Sequence, residues 1–104
     1  MLFLQDSEIY ARAKRTPGNE IAWEIQHVGE VMTYIRNSDK IILGGDVLHE
    51  NLTYTLDNWY YLPLPCLSHE DHVSNSYDVA IQYVDEYILQ YGTGFYVVVV
   101  TEQG

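Results

Sequence analysis

The spacing of apolar and polar positions changes period along this chain, and each change marks an element. Ile25, Val28, Met32 and Ile35 recur at helical spacing, so a helix is expected across them, with Asn37-Ser38-Asp39 as its exit. Ahead of it, Asp6 or Ser7 can cap a first helix reaching about Arg15, with Glu8 and Arg12 at i,i+4 and Arg12, Lys14 and Arg15 near the negative end of its dipole. Thr16-Pro17-Gly18 stops that helix. From Lys40 the period shortens. Lys40 to Leu48 is an apolar run too short and glycine-rich for a helix, and Leu52 to Leu62 is dense in Thr, Tyr, Trp and Leu, so two strands joined at His49-Glu50-Asn51 make a hairpin. Pro63 and Pro65 end the second strand.

The faces of this hairpin depend on the length of its turn. With two or four turn residues, Ile41, Leu43, Val47, Leu52, Tyr54, Leu56, Tyr60 and Leu62 share a core face. Gly44, Asp46, Thr53, Thr55, Asp57, Trp59 and Tyr61 then form a polar and aromatic face over a glycine gap. A three-residue turn scrambles that assignment.

Ser68 to Tyr91 is the best-defined element. Ser68 and Asp71 make a capping-box-like start, Glu70 sits in the positive first turn, and Gly92 stands where a helix C-cap belongs. The apolar stripe Val73, Tyr77, Ala80, Ile81, Val84, Ile88 and Tyr91 should pack on the sheet. Asp71, Asp78 and Asp85 fall seven apart and form one acidic line on the opposite side, with Asn75, Gln82 and Glu86 beside it. Phe95 to Thr101, with four consecutive valines, is a strand apolar on both sides and should be internal. The expected order is ααββαβ, an α+β fold of one domain over residues 1–104. Its three strands pair in the order 2-1-3, mainly antiparallel, with Gly44-Gly45 in the central strand and helices on one face.

Charge changes the picture from fold to function. All five bases (Arg12, Lys14, Arg15, Arg36, Lys40) lie in the first forty residues, against six acids. The remaining 64 residues carry nine acids and no base, so they hold almost the whole net charge of -10. Repulsion on that scale does nothing for folding and points to solubility or to steering toward a basic partner. It disfavours nucleic-acid binding, because phosphates are held by Lys and Arg. Ten tyrosines supply rigid contact area with a polar tip, suited to a binding surface and equally to the flank of a small core. The lone Cys66 permits no intrachain disulfide and fits a reducing cytoplasm. The N-terminus has no basic n-region, and neither a signal peptide nor a membrane span is expected.

Candidate chemistry is thin. His69-Glu70-Asp71-His72 resembles a metal box, but acids in a first helical turn are what the dipole prefers, and HExxH spacing is lacking. Asp46, His49 and Asp57 could be drafted as an acid–base set, yet no nucleophile is placed beside a base, and Cys66 has no neighbouring cation. Gly44-Gly45 lacks the lysine of a phosphate-binding loop and reads as a bulge or as room for a bulky neighbour such as Trp59. No catalytic residue, cofactor or metal is expected.

Ile42-Leu43-Gly44-Gly45-Asp46-Val47, then Asp57-Asn58-Trp59-Tyr60, then a helix with Ser76 and Ala80-Ile81-Gln82-Tyr83-Val84, together resemble a family of bacterial polymorphic-toxin immunity proteins. The resemblance covers about residues 40 to 91; upstream, Ala22-Trp23 and the second helix look similar, while Glu20-Ile21 departs from the Asn expected before the tryptophan. It implies a small cytoplasmic antidote in bacterial competition that binds a toxin domain made by the same or a neighbouring cell. The charge adds that this partner is a basic protein, such as a nuclease with a basic groove. On this reading Asp71, Asp78, Asp85, Glu86, Glu70, Glu50 and Tyr61 are the toxin-binding candidates. Gly44, Gly45, Asp46, Asp57, Asn58 and Trp59 are read as scaffold, since such a signature serves proteins that meet different toxins. The rivals are an acidic nucleic-acid mimic that blocks a DNA-binding enzyme, and a small hydrolase using Asp46 and His49.

Overall fold

A computed structural model describes residues 12–102. Within that range lie the strands β1 (Lys14–Arg15), β2 (Ile21–Glu24), β3 (Ile42–Leu48), β4 (Tyr54–Tyr60) and β5 (Tyr96–Thr101), and the helices α1 (Val28–Asn37) and α2 (His69–Tyr91). The strands form one five-stranded antiparallel sheet in the order β1-β2-β5-β3-β4. The fold is α+β, but its described elements run ββαββαβ with five strands, where three strands in the order ααββαβ were expected.

The difference lies upstream. Lys14–Arg15, expected at the end of a first helix, pair instead with Ile21 and Ala22 across the Thr16-Pro17-Gly18 turn; Arg12 and Ala13 are not helical either, and the part of that expected helix before them falls outside the described residues. Thr16 holds the turn together: its amide donates to the Glu20 carbonyl at 2.8 Å, and its hydroxyl accepts the Glu20 amide at 3.0 Å. β2 then pairs with β5, Trp23 opposite Val97. The sheet therefore continues past β5, and β5 is its central strand, with β3 between β5 and β4.

Both helices cover the same face. Val28, Val31, Met32 and Ile35 of α1 and Ala80, Val84 and Tyr87 of α2 bury against Trp23, Ile42, Val47, Trp59 and Val97. Burying a side chain the size of Met32, Ile35 or Ile42, each fully enclosed, is worth about 1.5–3 kcal/mol. On the opposite face Ala22, Leu48 and Val98 form a smaller cluster with Leu52 and Tyr96.

β4 is turned over relative to β3, so the faces of the hairpin are not those set by an even turn. The His49 amide donates to the Thr53 carbonyl at 2.7 Å, which leaves Glu50, Asn51 and Leu52 as a three-residue turn with Leu52 at φ 68°. Odd positions of β3 therefore face the same way as odd positions of β4: Gly45 lies opposite Trp59, with Asp46 opposite Asn58 and Gly44 opposite Tyr60. Tyr54, Leu56, Tyr60 and Leu62, expected in the core, are exposed, and Trp59 is buried. A register shift between Asp46 and Leu48, with Leu56 at φ 75°, kinks β4, which blunts it as an edge strand.

The glycine pair is required twice over. A Cβ on Gly45 would lie 2.4 Å from Cη2 and 2.6 Å from Cζ3 of Trp59, and 2.6 Å from the Val98 carbonyl oxygen. A Cβ on Gly44, at φ 154°, would lie 2.3 Å from the Trp59 carbonyl oxygen. The indole thus fills the place that a side chain at 45 would take. Gly45→Ala is expected to destabilise the fold by about 1–3 kcal/mol through overpacking, and Trp59→Ala by about 3–5 kcal/mol. Urea unfolding of the single and double variants checks both. The cost of Gly45→Ala should shrink in the Trp59→Ala background, because two of the three close contacts are to the indole.

Candidate partner-binding surface

Ser68 starts α2 by accepting the Asp71 amide on its hydroxyl at 3.1 Å, and Gly92, at φ 82°, ends it. Between these caps four side-chain contacts tie α2 to the sheet and to the chain that follows β4. His72, buried, has Nδ1 2.7 Å from the Tyr61 hydroxyl and Nε2 2.7 Å from the Leu64 carbonyl oxygen. That carbonyl can only accept, so Nε2 carries the proton, and in the neutral ring Nδ1 accepts from Tyr61. Ser76, fully buried, accepts the Ile42 amide at 3.0 Å and donates to the Val73 carbonyl at 3.2 Å. It satisfies a backbone N–H next to the register shift between Ile42 and Gly44. Tyr83 stacks on Trp59 with ring centroids 5.0 Å apart. Tyr87 donates its hydroxyl to Asp57 Oδ2 at 2.9 Å.

Those contacts set the rotation of the helix. The residues buried on α2 are His72, Val73, Ser76, Ala80, Val84 and Tyr87, a stripe turned slightly from the expected one: Tyr77, Ile81 and Ile88 pack at its edge and Tyr91 is exposed. Tyr83 and Tyr87, at i,i+4, continue to Tyr91 as a row of rings with centroid spacings of 6.1 and 4.7 Å. Burial first, then the neighbouring Asp57, raises the Tyr83 phenol above its ordinary value. Burial and the bond to Asp57 push Tyr87 up to about 12. Both hydroxyls keep their protons at neutral pH.

The expected contact residues occupy two regions of the surface. Asp71, Asp78 and Asp85 stand exposed on the outer side of α2, and so do Glu70 and Glu86. Gln82 steadies Glu86 by donating Nε2 to Oε1 at 3.1 Å. Glu50 is exposed on the β3–β4 turn, at the end of the sheet where His49 and Tyr87 both meet Phe95. Tyr61 is half-buried with its hydroxyl on His72, a scaffold position.

The signature residues divide between the two faces of the sheet. Gly45, Asp57 and Trp59 serve the helix side. Gly44, Asp46, Asn58 and Tyr60 lie on the other, where with Leu43 and Val100 they line a shallow depression of about 320 Å³ that Gly45 and Trp59 also border. Asp46 and Asp57 thus point to opposite faces, and the structure does not assemble them with His49 into an acid–base set. His69 and His72 do not converge either. His69 Nε2 lies 2.9 Å from the Asp39 carbonyl oxygen, a bond that raises its pKa above the usual histidine value. Among the described residues no group of three or more His, Cys, Asp or Glu could hold a metal ion, and no helix is long and apolar enough to cross a membrane.

A family model described as immunity protein 40 matches residues 4–101. The chain belongs to the immunity protein 40 family. Membership makes a toxin the partner. No curated protein matches the chain closely enough to count as a relative.

Ser76 is the link that pattern reading leaves unexplained, since a serine within an apolar stripe gives no hint of its acceptor role. Ser76→Ala strands the buried Ile42 amide and is expected to cost about 1–3 kcal/mol. Chemical denaturation measures that cost, and accelerated exchange of the Ile42 amide, while amides of β2 remain protected, would locate it.

Proposed function

We propose that this immunity protein neutralises a toxin domain with a basic surface, of the nuclease class, by binding it through the outer side of α2 and the adjoining edge of β4. The observation that carries the reading is the charge asymmetry: nine acids and no base from residue 41 onward, with Asp71, Asp78, Asp85, Glu70 and Glu86 exposed along one helix. Opposite charge on a toxin's substrate groove would draw the two together quickly and exclude partners of like charge. Glu50 extends the acidic surface around the end of the sheet. Leu89, 87% exposed on α2, and Leu56, 86% exposed at the kink of β4, supply apolar area beside the acids. That combination of apolar contact and charged surround is how protein interfaces are built. The protein acts in the cytoplasm by occupying the toxin, with no chemistry of its own.

Stopped-flow association with the cognate toxin domain tests the reading. The on-rate should fall steeply as salt is raised. Asp78→Lys with Asp85→Lys should slow association about tenfold while leaving the fold intact, because both side chains are solvated and outside the core. An on-rate indifferent to salt, or preferential binding to DNA, would contradict it.

A further inference from the structure

Between the β4 edge and α2 runs a cleft of about 190 Å³ lined by Asp57, Tyr83, Glu86, Tyr87, Gln90 and Tyr91. Its chemistry is one-sided. The three tyrosines follow one another along the helix, with Tyr83 backed by Trp59 and Tyr87 backed by Phe95. Asp57 and Glu86 bring two carboxylates to this row of rings. Ring faces and carboxylates attract the same thing, a cation, and a planar guanidinium can stack on the first while hydrogen-bonding to the second.

Among the described residues the chain brings no cation to this lining. None of the lining residues is basic, and no lysine or arginine follows Lys40. Elsewhere it makes this contact from its own side chains: the Arg36 guanidinium sits 4.2 Å from the centroid of the Tyr77 ring. The cleft is therefore an acceptor for a cation without a donor in its own lining. It is also prepared in shape, because the Tyr87–Asp57 bond and the Trp59–Tyr83 stack fix two of its rings, while Tyr91, 53% exposed, stands open to solvent.

From this geometry we propose that the β4–α2 cleft receives an arginine side chain of the toxin domain, its guanidinium against the tyrosine rings and bonded to Asp57 and Glu86. The proposal rests on the reading that the partner is a basic toxin domain, and its first test uses this protein alone. N-acetyl-arginine methylamide is titrated into the labelled protein while the tyrosine and tryptophan ring resonances are followed, with N-acetyl-glutamine methylamide as the neutral control. The arginine probe should shift Tyr83, Tyr87 and Tyr91 saturably, and the neutral probe should not. Asp57→Asn, which keeps an acceptor for Tyr87, and Glu86→Gln should each weaken the probe by about threefold to fivefold.

Equal shifts from both probes, or arginine shifts away from these rings, would overturn the proposal. In the second test, Asp57→Asn with Glu86→Gln should release the toxin domain at least tenfold faster than wild type, and a wild-type release rate would overturn the cleft while leaving the toxin reading in place. A wild-type protein that takes the arginine probe in the cleft yet binds no toxin domain would do the opposite: it would support the cleft and remove the toxin reading.

Discussion

The indole of Trp59 lying on Gly45 is the contact from which most of this structure follows. It needs a backbone with no side chain at 45, a partner strand in the register that places 59 opposite 45, and a helix close enough for Tyr83 to cap the ring from the other side. Burial of so large a side chain contributes several kcal/mol, enough to outweigh the indole Nε1–H, which is buried without a hydrogen-bond partner among the described residues. Tyr83 held by Trp59 and Tyr87 held by Asp57 fix the rotation of α2, and that rotation sends Asp71, Asp78 and Asp85 to solvent. Scaffold and surface are linked through one helix.

How much of this was legible in the sequence depended on whether the deciding information was local. The α2 boundaries were legible because Ser68 and Gly92 act within one turn of the chain. The helical crossover between β4 and β5 made those two strands parallel, and setting β5 beside β3 to keep every pairing antiparallel matches the observed order of these three strands. The orientation of β4 turned on a single residue of loop length, and one residue inverts every side chain of a strand. The β1–β2 hairpin was hidden because Lys14–Arg15 is two residues long and β2 four, too short for any period to show.

The candidate surface divides along the same line. Charge is a property of composition, so the acidic line on α2 could be read directly. The tyrosine cleft could not, since Tyr83, Tyr87 and Tyr91 were masked as part of an amphipathic helix and Asp57 joins them only through tertiary packing. Tyr61 was drawn to the surface by its residue type, and the buried His72 takes it inward.

The central claim is that Trp59 and the glycine pair are scaffold while the β4–α2 edge is the surface that meets the toxin. The most direct measurement is NMR mapping of the protein saturated with its cognate toxin domain. The account predicts that the perturbed signals cluster at the rings of Tyr83, Tyr87 and Tyr91, at the amides of residues 55–57, and along the outer side of α2 from Asp78 to Gln90. Perturbation confined to the opposite face of the sheet, at Asp46, Asn58, Tyr60 and Val100, would contradict it and make the depression over Gly44 the recognition site.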